Sequence, residues 1–327
     1  MRTAFVTGAT GFLGINLVKL LVEDGWHVTA LHRKSSDLRY LKRFDVVLKE
    51  GAITDRDSLL SAFPESVDAV FHVAANTSMW SKWNDQQYSD NVIGTRNMVE
   101  IAMLKKAGRF IHTSSISAYG HHDNVVDENT VPNALSSRIN YCRTKFLAEL
   151  EVDKGIAMGL DAVVVNPCDI MGPFDSHNWA QMIQAVHNND VPGIPTGRGN
   201  FCHVYDVAKG HISAFEKGRT GERYLLAGID ASFKEVFNTI ERLMCKKESQ
   251  FVLPKWTMQL VVPFYLIRSV LDGKEPILTT EKVLEMTLPK FVSAKKAMAE
   301  LDYRITPLQT SIRDSYEWLK QEGLLGR

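Results

Sequence analysis

The stretch Thr3-Ala-Phe-Val-Thr-Gly-Ala-Thr-Gly-Phe-Leu-Gly14, continuing as Ile15-Asn-Leu-Val-Lys-Leu-Leu-Val-Glu23, decides the fold. Thr3 to Thr7 is a short β-branched and aromatic run and reads as a strand. Phe12 to Glu23 repeats apolar residues at helical spacing. Between them Gly8, Gly11 and Gly14 form a G-x-x-G-x-x-G pattern. Glycines there let the chain turn tightly and let its backbone approach a pyrophosphate, which rests on the free amides of the next helix. Alone, such a triplet can be a plain tight turn. Its place between a strand and an amphipathic helix favours a nucleotide loop.

Working outward, strand-like runs recur at 27–33, 45–49, 68–73, 109–113 and 161–166, and the longest helical patterns lie at 86–107 and 138–158. Such alternation predicts an α/β fold, a Rossmann-type doubly wound parallel sheet with helices on both faces. Past residue 170 the rhythm breaks at Gly172, Pro173, Pro192, Gly193 and Pro195, and a final helix is expected near 308–323. We therefore expect a nucleotide-binding domain over 1–170 and a smaller, mainly helical substrate-binding part over 171–327. Segments near 200–228 should return to the first. The length of 327 residues suits two domains.

Lys and Arg total 38 against 38 Asp and Glu. A neutral chain lacks the basic surplus of a nucleic-acid binder. Cys142, Cys168, Cys202 and Cys245 form no C-x-x-C pair, so they read as free thiols of a reducing compartment. With no leader pattern, the expectation is cytoplasmic. Trp256 to Leu271 is the greasiest segment, but Gln259, Pro263 and Arg268 interrupt it and it falls short of a membrane span. The cluster His121-His122-Asp123 lacks ligand spacing, so no metal is expected.

The second strand ends in Leu31-His-Arg-Lys-Ser35. An NAD site would place a carboxylate there for the ribose 2′-hydroxyl. Arg33 and Lys34 suit a 2′-phosphate instead. NADP(H) is favoured and NAD(H) is the alternative.

Tyr141-Cys-Arg-Thr-Lys145 sets a phenol and an ammonium four apart on one helix face. A neighbouring ammonium favours the phenolate, and a phenol so placed can give a proton to a carbonyl oxygen or take one from an alcohol. The spacing recurs at Tyr205/Lys209 and Tyr316/Lys320. Only Tyr141 lies between the strand ending at Thr113 and the strand ending at Pro167, where catalytic groups of parallel sheets gather.

Together these features resemble the extended short-chain dehydrogenase/reductase superfamily. The matches are the glycine loop, His72-Val-Ala-Ala75, Asn91-Val-Ile-Gly-Thr95, Thr113-Ser-Ser-Ile-Ser-Ala-Tyr-Gly120, Tyr141-x-x-x-Lys145, Asn166-Pro-Cys-Asp-Ile-Met-Gly-Pro173 and His203-Val-Tyr-Asp-Val-Ala208. The resemblance implies Tyr141 as acid/base and Lys145 as the group that lowers its pKa and holds the nicotinamide ribose. It implies Ser115 on the substrate oxygen and Asn91 in support of Lys145. The cofactor would be held by Gly8, Thr10, Gly11, Phe12, Leu13, Gly14, Arg33, Lys34, Ala52, Ile53, Val73, Ala74, Ala75, Thr113, Tyr141, Lys145, Pro167, Cys168 and Ile170.

Within the superfamily, sugar-nucleotide epimerases carry Arg-Asp before the His-Val motif; here those positions read Gly199-Asn200, with Arg198 one residue away. Sugar dehydratases carry Asp-Glu after the catalytic hydroxyl residue; here stand Ile116-Ser117. The closest resemblance is to dihydroflavonol-4-reductase-like reductases, which implies an NADPH-dependent ketone or aldehyde reductase. The alternatives are an NAD-dependent nucleotide-sugar epimerase, a 3-beta-hydroxysteroid-type dehydrogenase and, remotely, a non-catalytic redox sensor. Met79, Trp80 and Trp83 offer an apolar wall, and Met79, Trp80, Ser115, Ser117 and Tyr141 are the expected substrate contacts. Trp256, Met258, Phe264 and Tyr265 either close the other side or pack the core or a subunit contact. The expected partner is a small carbonyl or alcohol with an apolar or aromatic body, and the protein is expected to be a monomer or homodimer.

Overall fold

The structure, a computed structural model, describes residues 1–325 apart from 192 and 274. Pro192, one of the expected loop breakers, therefore lies outside the described residues. The chain runs β1 (Thr3–Thr7), α1 (Phe12–Glu23), β2 (His27–His32), β3 (Val47–Glu50), α2 (Arg56–Ala62), β4 (Ala69–His72), α3 (Asn84–Tyr88), α4 (Gly94–Leu104), β5 (Arg109–Thr113), α5 (Asn140–Ala157) and β6 (Ala162–Pro167). Next are β7 (Asp169–Met171), α6 (Ala180–His187), β8 (Ile194–Pro195), β9 (Arg198–His203), α7 (Val204–Lys217), β10 (Arg223–Leu226), β11 (Ile229–Ser232) and α8 (Phe233–Leu243). Last come β12 (Val252–Leu253), α9 (Lys255–Asp272), α10 (Thr280–Glu285), α11 (Lys295–Leu301) and α12 (Leu308–Gln321).

Seven strands form one sheet in the order β10-β6-β5-β4-β1-β2-β3. Every pairing in it is parallel. The central strands β1, β4, β5 and β6 are buried on both faces, as their continuous apolar runs require, while the edge strand β3 is partly exposed. Helices α1, α7 and α11 pack on one face and α2, α4 and α5 on the other. The winding reverses between β1 and β4, which opens a crevice at their carboxyl ends. A second core joins α6, α8 and α12 to the three-stranded sheet β11-β9-β7.

Local chemistry sets the boundaries. Gly25, with φ 77°, turns the chain out of α1, a left-handed conformation that glycine adopts freely. The Asp55 carboxylate caps α2 through the amides of Asp57 and Ser58. Ser232 and Glu235 cap α8 reciprocally.

Two features depart from the sequence reading. The helix expected over 86–107 is built in three pieces, because Ser89–Ile93 forms a π-turn between α3 and α4, where Gly94 N–H donates to Ser89 O. The strand β10, only four residues long, was not among the expected strands; it lies at the edge of the main sheet, inside the 200–228 stretch. A run that short carries no readable period.

Candidate active site

The carboxyl ends of β1, β4, β5 and β6 meet beside the amino end of α5. Gly8 has φ 67°, and a Cβ on it would stand 2.6 Å from the amide nitrogen of Ala74. The glycine loop thus lies directly against the Val73–Ala74 segment after β4. A Cβ on Gly14 would stand 2.0 Å from Gly8 O, so α1 can press onto the loop only without a side chain there. No side chain caps α1 and its first turn has no acidic residue. Its amino-terminal amides are therefore open to an anion. This cradle fits the pyrophosphate of a dinucleotide. Arg33 and Lys34, just past β2, are exposed. The first carboxylate beyond them, Asp37, is taken by Arg39 at 2.7 Å. Ile53 packs against Gly94, and its carbonyl accepts from Asn97 at 2.8 Å.

Beneath the cradle runs a directed chain of hydrogen bonds. Ala74 N–H donates to Thr7 Oγ1 at 3.2 Å, Thr7 Oγ1 donates to His72 Nδ1 at 2.8 Å, and His72 Nε2 donates to Thr95 Oγ1 at 3.0 Å. Thr95 in turn donates to Asn91 O at 2.6 Å. This order assigns His72 the Nε2–H tautomer. Burial, with the Lys145 charge, pushes the His72 pKa down to about 3, so the ring is neutral.

Asn91 sits in the π-turn, buried. Its amide accepts from Asn76 N–H at 2.7 Å and donates to Asn76 O at 3.0 Å and to Thr144 Oγ1 at 3.1 Å. Gln87 donates to the carbonyls of Asn76 and Ser78. Side chains from this distorted helix thereby hold the 76–80 loop, a common use of π-turns at functional sites.

Ser115 Oγ accepts from Ser117 N–H at 3.1 Å and caps the turn Ile116–Tyr119. Its hydroxyl hydrogen is left for another acceptor. Burial raises the Tyr141 phenol to about pKa 12, and the Ser115 hydroxyl acts the opposite way. Lys145 is buried and donates to Thr113 O at 2.8 Å. Burial lowers its pKa to about 8, with Glu149 opposing. The ammonium is directed at a backbone carbonyl, and the phenol lies above its ordinary value. Desolvation is the largest influence on the phenol. Thr113 Oγ1 bonds His211 Nε2 at 2.8 Å, and His211 Nδ1 bonds Val207 O. Burial pushes His211 down to about 4.

The other two Tyr-x-x-x-Lys pairs stand apart from this centre. Lys209 Nζ lies over the exposed Tyr205 ring at 4.6 Å, and Tyr316 and Lys320 belong to α12.

Several groups escaped the sequence reading. Glu149, on the same helix face as Tyr141 and Lys145, is 1 % exposed. It accepts from Ser114 Oγ, from Asn166 Nδ2 at 2.6 Å and from Arg223 Nε at 2.8 Å. Its spacing along α5 was a usable signal. Lys290 and Glu285 carried none. They come from far along the chain, yet Lys290 pairs with both Asp169, at 2.9 Å, and Glu285. Ile116, Ser117, His121, Glu285 and Lys290 line a small cavity next to the Ser115 turn.

Trp80 is buried and meets Trp83 edge to face at 5.1 Å. Met79 is held by the C-terminal part: its N–H donates to Glu275 at 3.2 Å and its carbonyl accepts from Thr279 at 2.6 Å. Trp256 and Phe264 are exposed on α9, whereas Met258 packs inward. Pro167 and Cys168 are buried and Ile170 is half-buried. Burial raises the Cys168 thiol well above its ordinary pKa. Among the described residues no helix is long and apolar enough to cross a membrane.

The doubly wound sheet, the glycine cradle and the Ser115–Tyr141–Lys145 set define a Rossmann-type NAD(P)-dependent oxidoreductase. Comparison with known proteins agrees. The profile of the NAD dependent epimerase/dehydratase family matches residues 4–227, and the chain belongs to that family. It is 29 % identical over 330 residues to a Synechocystis sp. protein named after dihydroflavonol 4-reductase, covering 98 % of this chain and 95 % of that one. It is 28 % identical over 329 residues to sterol demethylase protein B of Methylococcus capsulatus, covering 99 % and 100 %. The crystal structure of gox2253 is 30 % identical, covers 100 % of both chains and superposes with a TM-score of 0.86.

Proposed function

We propose that the protein is an NADPH-dependent reductase of ketones or aldehydes with an apolar or aromatic body. The observation that carries this is the convergence of Ser115, Tyr141 and Lys145 beside the cradle. The Ser115 hydroxyl acts on the Tyr141 phenol, and a carbonyl oxygen set between them meets two donors. Tyr141, kept protonated by burial, gives its proton to that oxygen as it gains negative charge. Lys145, fixed by Thr113 O, keeps a positive charge beneath the reacting centre and offers its remaining N–H groups to a ribose. The nicotinamide, when bound, supplies the hydride.

The cofactor preference rests on Arg33 and Lys34, since no free carboxylate stands at the end of β2. A sugar-nucleotide epimerase is disfavoured by Arg198 and Asn200. The first pairs with Glu235 at 3.6 Å, and the second is bound to Asp230 and Gly228. An apolar substrate is supported by the Trp80–Trp83 wall. A second reading, oxidation of a 3-beta-hydroxysteroid-type alcohol, is favoured by 25 % identity over 343 residues to a Mycobacterium tuberculosis protein named 3 beta-hydroxysteroid dehydrogenase/Delta 5-->4-isomerase.

The test is calorimetric titration with NADPH and NADH, after a mass-spectrometric check for carried-over nucleotide, and then panels of apolar carbonyls and sterol alcohols. Tighter NADPH binding to an empty protein, with turnover of carbonyls, is expected. Co-purifying NAD or an NADH preference would overturn the assignment of Arg33 and bring an epimerase forward.

A further inference from the structure

Helix α9 is built the wrong way round for a surface helix. Met258 and Val262 turn inward against Val283 in a small satellite core. On the outward side Trp256, Leu260, Phe264, Ile267 and Leu271 are between 63 % and 82 % exposed. Their spacing of four, four, three and four residues makes one continuous stripe. Val261 widens it, and the exposed Phe251 and Ile277 extend it beyond both ends. Surface helices turn a polar face to water, and contiguous exposed apolar surface marks a place of interaction.

We propose that this face of α9 lies in the interfacial plane of an anionic lipid bilayer, beside the mouth of the substrate cleft. The charge pattern fits such a surface. Over α9 the charged residues are Lys255, Arg268 and, at its last position, Asp272, which leaves the helix with a net positive charge. A helix of 18 residues lying in the plane presents roughly 27 Å of apolar edge, with an aromatic ring at one end suited to the headgroup level. A second protein copy would bring a polar rim and about one hydrogen bond per 100–200 Å². The stripe offers little for that, since Gln259 and Arg268 are the exposed polar side chains among the described residues of α9. A fluid apolar phase makes no such demand.

The position adds a purpose. The segment leaving α9 carries Glu275 and Thr279, which grip the N–H and carbonyl of Met79. The docking helix and the loop beside the cleft are thus mechanically joined. Resting on the reading of an apolar substrate, the arrangement lets a membrane-dissolved molecule enter without crossing water.

The test is flotation of the full-length protein with vesicles of phosphatidylcholine containing phosphatidylglycerol, and with phosphatidylcholine alone. Wild type is expected to float with the mixed vesicles, and the variant L260E/I267E to stay at the bottom with an unchanged circular dichroism spectrum. The proposal is overturned if wild type does not float, or if the double variant floats equally well. It is also overturned if wild type is a non-floating dimer that the variant splits into monomers, which would mean self-association. Flotation requires no turnover, so failure of the reductase reading is a separate result.

Discussion

The Glu149 carboxylate on α5 meets the Arg223 guanidinium on β10 at 2.8 Å, although 74 residues separate them. Glu149 also anchors Ser114 and Asn166, which flank Ser115 and Pro167. The pair therefore ties the edge strand of the sheet to the helix that carries Tyr141 and Lys145. Removing Arg223 leaves a buried carboxylate uncompensated. We expect R223L to lose about 3–5 kcal/mol of unfolding free energy in urea titration, with kcat reduced because the Ser115 turn loses its anchor. A loss under ~1 kcal/mol, typical of an exposed ion pair, would show that the pair does not hold the strand.

Tyr141→Phe removes the hydroxyl that the proposed mechanism uses as proton donor and keeps the ring. Turnover is expected to fall by about 10²–10⁴-fold, while NADPH binding measured by calorimetry stays within a few-fold. Undiminished turnover would transfer the acid role to another group.

The pH profile should carry the signature of Lys145. Burial lowers its pKa to about 8, so the ammonium is present below that value and is lost as pH rises through it. We expect kcat/KM for carbonyl reduction at saturating NADPH to fall by up to tenfold per pH unit above about 8. The variant K145M should be slow and lack this limb. A K145M profile with the limb intact would exclude Lys145 as its source.

Three imidazoles are buried and neutral. Burial sets His72 near 3 and His211 near 4, and holds His112 well below its ordinary value. Below the ordinary value of 6.5 the unfolded chain takes up protons that the folded one refuses. The stability present above that pH is lost as pH falls towards 4, by up to ~1.4 kcal/mol per pH unit for each group. Urea midpoints measured from pH 7 to pH 5 should decline accordingly, and H72Q should decline less steeply. Parallel slopes would mean that His72 is not a neutral buried base.

The doubly wound sheet could be read from the sequence because its signals are local. The β1–loop–α1 stretch has strand period, turn residues and helix period within twenty-odd positions, and the Tyr141–Lys145 spacing lies along one helix. Asn91 was found by motif, but its grip on Asn76 and Thr144 needed the π-turn, which leaves no mark on periodicity. Glu275, Thr279, Glu285 and Lys290 had no local signal. They reach the cleft only through long-range packing of the C-terminal part, whose short helices obey no motif. The facing of α9 stayed open in the sequence for the same reason: an apolar helix facing water and one facing the core have the same spacing.

The π-turn at Ser89–Ile93 has a genetic corollary. It is one residue more than an α-helix needs, so the mutation that tests it is a deletion. Loss of a single codon there would close the wide turn, join α3 and α4 into a regular helix and redirect the side chains inside the turn, Asn91 among them. Asn91 and Thr95 could then no longer serve the loop and the sheet together. A change that costs no hydrogen bond in the helix itself would take the catalytic neighbourhood apart, and a survey confined to amino-acid exchanges would pass over it.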